Sequence, residues 1–183
     1  GTNKEKVSEV GKLIQKADGQ YGPLVRSLDT VESCKALVAD AERELGRIDV
    51  LINCVGMNRR KPVRDVEAKD FEQIVAVNLR SVFFTCQAVY PIMQRQGGGK
   101  IINVGSVTST DGLGGVSVYG ATKAAVTQLT KTMALEWAKD NIQVNCLAPG
   151  SIITPLTEKG LWGDAHRKQW LLDRIPARRP GKP

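Results

Sequence analysis

The sequence predicts an α/β fold built on a doubly wound parallel sheet. Three runs rich in β-branched and aliphatic residues, at 48–53, 100–104 and 142–147, alternate with two long helical patterns. The run at 48–53 is apolar at consecutive positions, as strands of a parallel sheet covered on both faces are, and the other two are interpreted as strands of the same type. No linker, repeat or low-complexity segment separates these elements. One layered domain over residues 1–183 is therefore expected.

The elements before the first of these strands follow from local signals. The pattern favours a helix at 4–16 and a short strand at 24–26. Thr30 is an N-cap residue ahead of helically spaced apolar side chains, and Gly46 is placed to end that helix.

The second half of the chain repeats the alternation. A helix over 68–94 is apolar on nearly all sides, so more than its own sheet must cover it. The glycines at 97–99 turn the chain into the next strand, and a second long helix spans 118–139. Segment 151–175 is expected to carry one or two mobile helices that act as a substrate lid.

Composition excludes several classes of protein. The sequence is 42% hydrophobic and 25% charged, which is ordinary for a globular domain. No apolar run reaches the roughly 18 residues that cross a bilayer, so no membrane partner is expected and the protein is predicted to be cytoplasmic. His166 is the only histidine, and no metal site is expected. The cysteines are too scattered for a zinc or redox motif and are predicted to be reduced; they are Cys34, Cys54, Cys86 and Cys146.

The net charge of +7 suits an anionic partner or a solvated basic surface. Positive residues concentrate at 59–61 and 174–182. Neither patch is interleaved with aromatic residues that stack on bases, and no DNA-binding or RNA-binding motif accompanies them. An anionic small molecule is therefore expected as partner, and nucleic acid is not.

Tyr119 and Lys123 form the first candidate chemical pair. They are four residues apart near the start of a predicted helix, so their side chains share one face. A phenol is a poor base at neutral pH, but a close ammonium stabilises its ionised form. Tyr119 is therefore a candidate general acid or base, although the same spacing also occurs in plain surface pairs.

Other polar residues follow the predicted strands at one edge of the sheet. Ser106 lies just past the second strand, where a parallel sheet opens its ligand crevice. Asn53 ends the preceding strand. Asn78 lies in an otherwise apolar helix, which implies a buried hydrogen-bonding role. The segment 149–154 adds a breaker turn and a hydroxyl at the same edge.

These motifs resemble the short-chain dehydrogenase/reductase family over essentially the whole chain. Five of them stand in the family's order and spacing: Asn-Cys-Val-Gly at 53–56, Asn78, Ser106, Tyr-Gly-Ala-Thr-Lys at 119–123, and 149–154. The chain resembles sugar-acid dehydrogenases acting on gluconate or 2-keto-3-deoxygluconate, and also 3-oxoacyl-acyl-carrier-protein reductases. The resemblance implies hydride transfer between NADP or NAD and a secondary alcohol or ketone.

The resemblance also implies roles for individual residues. Tyr119 would be the acid/base, Ser106 would polarise the substrate oxygen, and Lys123 would support the phenolate and hold the nicotinamide ribose. Asn78 would anchor a proton-relay water beside Lys123. The remaining cofactor contacts that it implies are Ser27, Leu28, Asn53, Gly56, Pro149, Gly150, Ile152 and Thr154.

The sequence departs from the family pattern at the cofactor end. Ser27 stands where the family commonly has an adenine-contacting aspartate, and Cys54 and Val55 replace an Asn-Ala pair, so an altered cofactor affinity is expected. No Gly-x-x-x-Gly-x-Gly loop is present to cradle a pyrophosphate. We therefore expect an internal portion of a longer chain, without the family's glycine-rich strand–turn–helix and C-terminal strand.

Arg59 and Arg60 are the substrate-binding candidates. They follow the first predicted strand of the sheet closely, and a guanidinium suits a carboxylate or phosphate, with surface charge as the alternative interpretation. Trp162 is a further candidate on the apolar side of the lid, where plain packing explains it nearly as well. His166 lies in a charged stretch, which favours a solvated helix face.

Cofactor choice and assembly follow from the same comparison with the family. NADP is expected over NAD, because no acidic residue precedes Glu5 near the end of the family's second strand and Lys4 and Lys6 lie close by. The apolar helices predict a homodimer, or, as the resemblance implies, a homotetramer. A non-catalytic nucleotide-binding scaffold with the same fold is the alternative class of function.

Overall fold

The strands of this chain form a parallel sheet. The computed structural model describes residues 2–154, 157–158, 162–163 and 165–183. Within these residues three strands lie side by side in the order β1, β2, β3, where β1 is Val50–Asn53, β2 is Gly99–Val104 and β3 is Ile142–Leu147. Both pairings are parallel, and the register sets Asn103 between Asn53 and Cys146. The predicted parallel α/β class is confirmed.

Helices alternate with these strands. The described ones are α1 (Lys4–Lys16), α2 (Val31–Leu45), α3 (Ala68–Val75), α4 (Ser81–Arg95), α5 (Ser117–Trp137) and α6 (Ala165–Arg174). None of these is both long enough and apolar enough to cross a membrane. The Thr30 side chain caps α2 by accepting from the Ser33 amide at 3.1 Å, and Gly46 ends α2 at a left-handed φ of +73°. Both predicted ends are confirmed.

The short strand predicted at 24–26 is wrong. Residues 19–28 are irregular. A strand needs a neighbour to share its backbone hydrogen bonds, and no described strand runs beside this segment. Arg26 instead forms an ion pair with Asp40 on α2.

The long helix predicted over 68–94 is interrupted. A π-helical segment, Ala76–Arg80, joins α3 to α4 and carries the fully buried Asn78. Such segments are rare and often occur at functional sites. Helix α2 packs against α4, which accounts for part of the apolar surface seen in the sequence.

One face of the sheet carries the hydrophobic core. Ile101 and Val144 pack there against apolar side chains of α4 and α5. On the opposite face Val50, Ile52 and Leu147 remain 49%, 58% and 59% exposed. The described residues therefore cover one face of the sheet, whereas the apolar strands predict that both faces are covered.

A buried polar network joins the core face of the sheet to both long helices. Asn53 Nδ2 donates to Asn103 Oδ1 at 2.9 Å, Thr85 on α4 donates to Asn53 Oδ1 at 2.9 Å, and Asn103 Nδ2 donates to Thr130 on α5 at 3.0 Å. Burial raises the pKa of the adjoining Cys86 thiol to about 12, so this thiol stays protonated. Because both amides are satisfied, the network holds the register of β1 and β2 without leaving an orphaned polar group.

The chain divides into two units after Leu147. In the second unit, Ile152 forms an isolated parallel bridge with Gly181, and the exposed His166 lies on α6. Positions 155–156, 159–161 and 164 lie outside the described residues. That residues 1–183 form one domain with a substrate lid at 151–175 stays a prediction.

Candidate active site

Lys123 is a buried ammonium on the second turn of α5. Its side chain passes under Tyr119, and Nζ lies 5.8 Å from the centroid of the tyrosine ring. Lys123 is 3% exposed, and Nζ donates to the Val104 carbonyl at the end of β2 at 2.8 Å. Burial lowers the pKa of Lys123, while the nearby thiols of Cys54 and Cys146 oppose that shift. The predicted sharing of one helix face by Tyr119 and Lys123 is confirmed by this geometry.

The Lys123 ammonium has hydrogen-bonding capacity to spare. An ammonium carries three N–H donors, and the Val104 carbonyl is its one hydrogen-bond acceptor among the described residues. A Cβ built on Gly56, in the loop after β1, would lie 3.5 Å from Nζ, so the glycine leaves that side of the ammonium uncovered. The two remaining donors suit the hydroxyls of a ribose, which is the group that the family resemblance implies for Lys123.

Asn78 ties the loop after β1 to the start of α5. Its Oδ1 accepts from the Met57 amide at 2.7 Å, and its Nδ2 donates to the Met57 carbonyl at 2.9 Å. Nδ2 also lies 3.3 Å from Thr122 Oγ1, which donates to the Tyr119 carbonyl at 2.7 Å. The buried hydrogen-bonding role predicted for Asn78 is confirmed. Thr122 is not among the predicted site residues, although its place beside Lys123 on the inner helix face could have indicated it.

Ser106 follows β2 and caps the short 3₁₀ turn Val107–Ser109. Its Oγ accepts from the Thr108 amide at 3.1 Å and from the Thr108 hydroxyl at 2.9 Å. The Ser106 hydroxyl donates to no described residue, so its proton remains available to a substrate oxygen. A Cβ on Gly120 would lie 3.2 Å from the Thr108 carbonyl. The turn of Ser106 therefore packs closely against the first turn of α5, next to Tyr119.

The residues that the family resemblance implies as cofactor contacts lie in several different environments. The Asn53 side chain lies inside the buried amide network, and Gly56 is exposed beside Lys123. The carbonyls of Ser27 and Leu28 accept from Ser33 and Cys34 of α2. Pro149, Gly150, Ile152 and Thr154 belong to the second unit, where the Thr154 amide donates to Thr157 Oγ1 at 2.9 Å. Their roles toward a cofactor stay predictions.

The substrate candidates also differ in what they contact. Arg59 donates to Asp70 Oδ1 and to Gln73 Oε1, each at 2.6 Å. Arg60 Nη1 lies 3.5 Å from the Gly114 carbonyl. In the second unit, the buried indole nitrogen of Trp162 has no hydrogen-bond acceptor among the described residues.

Known proteins resemble this chain in both sequence and fold. A family model described as short chain dehydrogenase matches residues 1–161. The gluconate 5-dehydrogenase of Gluconobacter oxydans is 43% identical over 145 residues, which are 79% of this chain and 56% of that protein. A 3-oxoacyl-[acyl-carrier-protein] reductase of Thermotoga maritima is 38% identical over 181 residues, which are 99% of this chain and 72% of that protein.

A solved structure extends the likeness to three dimensions. The crystal structure of a gluconate 5-dehydrogenase from Burkholderia cenocepacia in complex with NADP and tartrate has a TM-score of 0.92 and is 36% identical. The match covers 100% of this chain and 71% of that one. The chain thus spans between 56% and 72% of the length of the proteins named here. The doubly wound α/β class agrees with these likenesses.

Proposed function

We propose that this chain, which belongs to the short-chain dehydrogenase family, is the catalytic portion of a nicotinamide-dependent oxidoreductase acting on a secondary alcohol or ketone. The observation that carries the proposal is the buried Lys123 ammonium beneath Tyr119, with two N–H donors unused by the described chain. A surface Tyr-x-x-x-Lys pair or a purely structural lysine would not require burial beside an uncovered glycine.

The chain's own residues supply the acid/base chemistry in this proposal. Ser106 donates its unused proton to the substrate oxygen, and Tyr119 gives a proton to that oxygen or takes one from it. The Lys123 ammonium stabilises the phenolate electrostatically and holds the ribose. Asn78 anchors a relay water beside Lys123. A nicotinamide cofactor, when bound, would supply the hydride donor or acceptor.

We assign NADP as the preferred cofactor. Lys4 and Lys6 lie on the exposed first turns of α1, near the position where the resemblance implies a ribose-binding acidic residue. The solved gluconate 5-dehydrogenase is a complex with NADP. A 2′-phosphate would meet positive charge here.

The substrate we propose is a sugar acid such as gluconate. Support comes from two relatives named gluconate 5-dehydrogenase and from the net charge of +7. The test is a panel of gluconate, 2-keto-3-deoxygluconate and a 3-oxoacyl thioester with NADP(H) and NAD(H), followed by nicotinamide absorbance. Activity on the thioester alone favours the reductase alternative. A protein that binds nucleotide but turns over no member of the panel supports the scaffold alternative.

We assign Arg60 to the substrate carboxylate, because its guanidinium lies 3.5 Å from the Gly114 carbonyl in the loop that leads from Ser106 to Tyr119. Arg60→Ala is expected to weaken gluconate binding by about 2 kcal/mol, roughly a 30-fold rise in KM, as a lost charge-assisted hydrogen bond would. The matched control is Arg64→Ala, since the Arg64 side chain is 87% exposed in the same loop. Equal KM values for the two variants would identify Arg60 as surface charge.

We further propose a homodimer or homotetramer in the cytoplasm. The helices of the site retain exposed apolar side chains, with Phe71 on α3 46% and Leu135 on α5 83% exposed. A second copy packed on these helices would bury them. Light scattering at micromolar concentration is expected to give a multiple of the subunit mass, and a monomer mass would contradict the assembly.

A further inference from the structure

Asp70 on α3 is a buried carboxylate that the proposed chemistry does not use. Asp70 is 1% exposed, and among the described residues it shares full burial of a charge with Lys123 alone. An unpaired carboxylate in such a place is unstable. Arg59 donates to Oδ1 at 2.6 Å, and the Lys61 ammonium lies 2.6 Å from Oδ2. The Lys61 ammonium, and after it the Arg59 guanidinium, hold the pKa of Asp70 below its ordinary value despite burial.

The two cations are themselves held in place from α3 and its N-cap. Arg59 Nη2 donates to Gln73 Oε1 at 2.6 Å, and Gln73 lies one helical turn beyond Asp70. Lys61 Nζ donates to Glu67 Oε1 at 2.6 Å, just before α3 begins. Segment 59–61 is therefore fastened to the helix at both of its ends.

The fastened segment in turn contacts the loop between Ser106 and Tyr119. The Lys61 amide donates to the Gly115 carbonyl at 3.1 Å, and Arg60 Nη1 lies 3.5 Å from the Gly114 carbonyl. Gly115 has a left-handed φ of +79°, and a Cβ there would lie 3.1 Å from Arg60 Cγ. Only a glycine allows this close approach in this conformation. Two residues later α5 begins at Ser117.

We propose that Asp70 is a positioning residue: through Arg59 and Lys61 it clamps loop 110–116, and so sets where the substrate lies between Ser106 and Tyr119. The second half of this statement rests on the proposed function. The clamp also assigns Arg59 to the protein's own carboxylate.

The clamp is tested without reference to activity by hydrogen exchange. In Asp70→Asn the side-chain shape is kept and the negative charge is lost, so Lys61 and Arg59 lose their shared anion. Exchange in peptides covering 110–116 is expected to accelerate by about tenfold, while peptides of α2 stay unchanged. Asp65→Asn is the matched control. Asp65 is exposed in the segment between β1 and α3, and it pairs only with the exposed Arg64, at 3.7 Å, among the described residues. Unchanged exchange in 110–116 overturns the clamp.

Lys61→Met is the second variant, which keeps the test decisive if Asp70→Asn does not fold. The Lys61 side chain is 32% exposed, so its replacement leaves no full cavity. The same acceleration in 110–116 is expected, and its absence overturns the proposal.

Kinetics then tests the effect of the clamp on the substrate. Each variant is expected to raise the KM of the substrate about tenfold, with the cofactor dissociation constant within about twofold of wild type. A lower kcat at unchanged KM would show a merely structural role and contradict positioning. Wild-type protein inactive on every substrate and cofactor of the panel would count against the proposed function, while the exchange result still decides whether the clamp exists.

Discussion

Tyr119→Phe is expected to lower kcat by about a thousandfold or more, the scale on which a positioned general acid or base contributes. The variant keeps the ring above Lys123 and removes only the group that carries the proton. Cofactor affinity should therefore remain near the wild-type value. Steady-state nicotinamide absorbance gives kcat, and a fluorescence titration gives the cofactor dissociation constant.

Tyr90→Phe is the matched control for the loss of a phenol. The Tyr90 hydroxyl on α4 donates to Asp140 at 2.8 Å, at the far end of α5 from Tyr119. Turnover by this variant should equal that of wild type. If Tyr119→Phe turns over as fast as Tyr90→Phe, Tyr119 is not the acid/base.

Lys123→Met is expected to damage both binding and chemistry. Methionine has a similar length and suits the buried position, since burial already opposes the lysine charge. The variant should fold, but it lacks the ammonium that supports the phenolate and the two donors proposed for the ribose. We expect the cofactor dissociation constant to rise by about tenfold or more, corresponding to at least about 1.4 kcal/mol, and kcat to fall as well.

The effects of the two variants distinguish the role of Lys123 from that of Tyr119. The tyrosine variant loses turnover alone, whereas the lysine variant loses turnover and cofactor affinity together. Lys131→Met, on the exposed side of the same helix, serves as the control. Normal cofactor affinity in Lys123→Met would show that the unused donors of the ammonium do not hold the ribose.

Much of the fold could be predicted because its signals are local. The Thr30 cap and the Gly46 end of α2 depend on residues a few positions apart, and the strands depend on short segments rich in β-branched and aliphatic residues. The strand expected at 24–26 fails because a strand also needs a neighbour, which a short apolar run does not reveal. The π-helical break at Ala76–Arg80 was not expected either, since the apolar pattern continues through it.

The candidate site was predictable in its residue types more than in its contacts. An asparagine in an apolar helix predicted a buried role for Asn78, but its partners Met57 and Thr122 are 21 and 44 positions away. The pairing of Arg59 with Asp70 joins a loop to a helix, and the path of that loop decides it. Sequence spacing on one helix could not show that Arg59 and Lys61 of the basic patch at 59–61 share Asp70, whereas Arg60 contacts the Gly114 carbonyl.

The most direct test of the central claim is to follow the hydrogen on the alcohol carbon. The substrate identified in the panel is labelled with deuterium on its alcohol carbon, which is carbon 5 in gluconate. The mass of the reduced nicotinamide is then measured by mass spectrometry. Transfer between the substrate carbon and the nicotinamide predicts one deuterium in each molecule of reduced cofactor, and almost no reduced cofactor from Tyr119→Phe in the same time. Reduced cofactor without deuterium, or no reduction of either cofactor by any substrate of the panel, would contradict the proposed function.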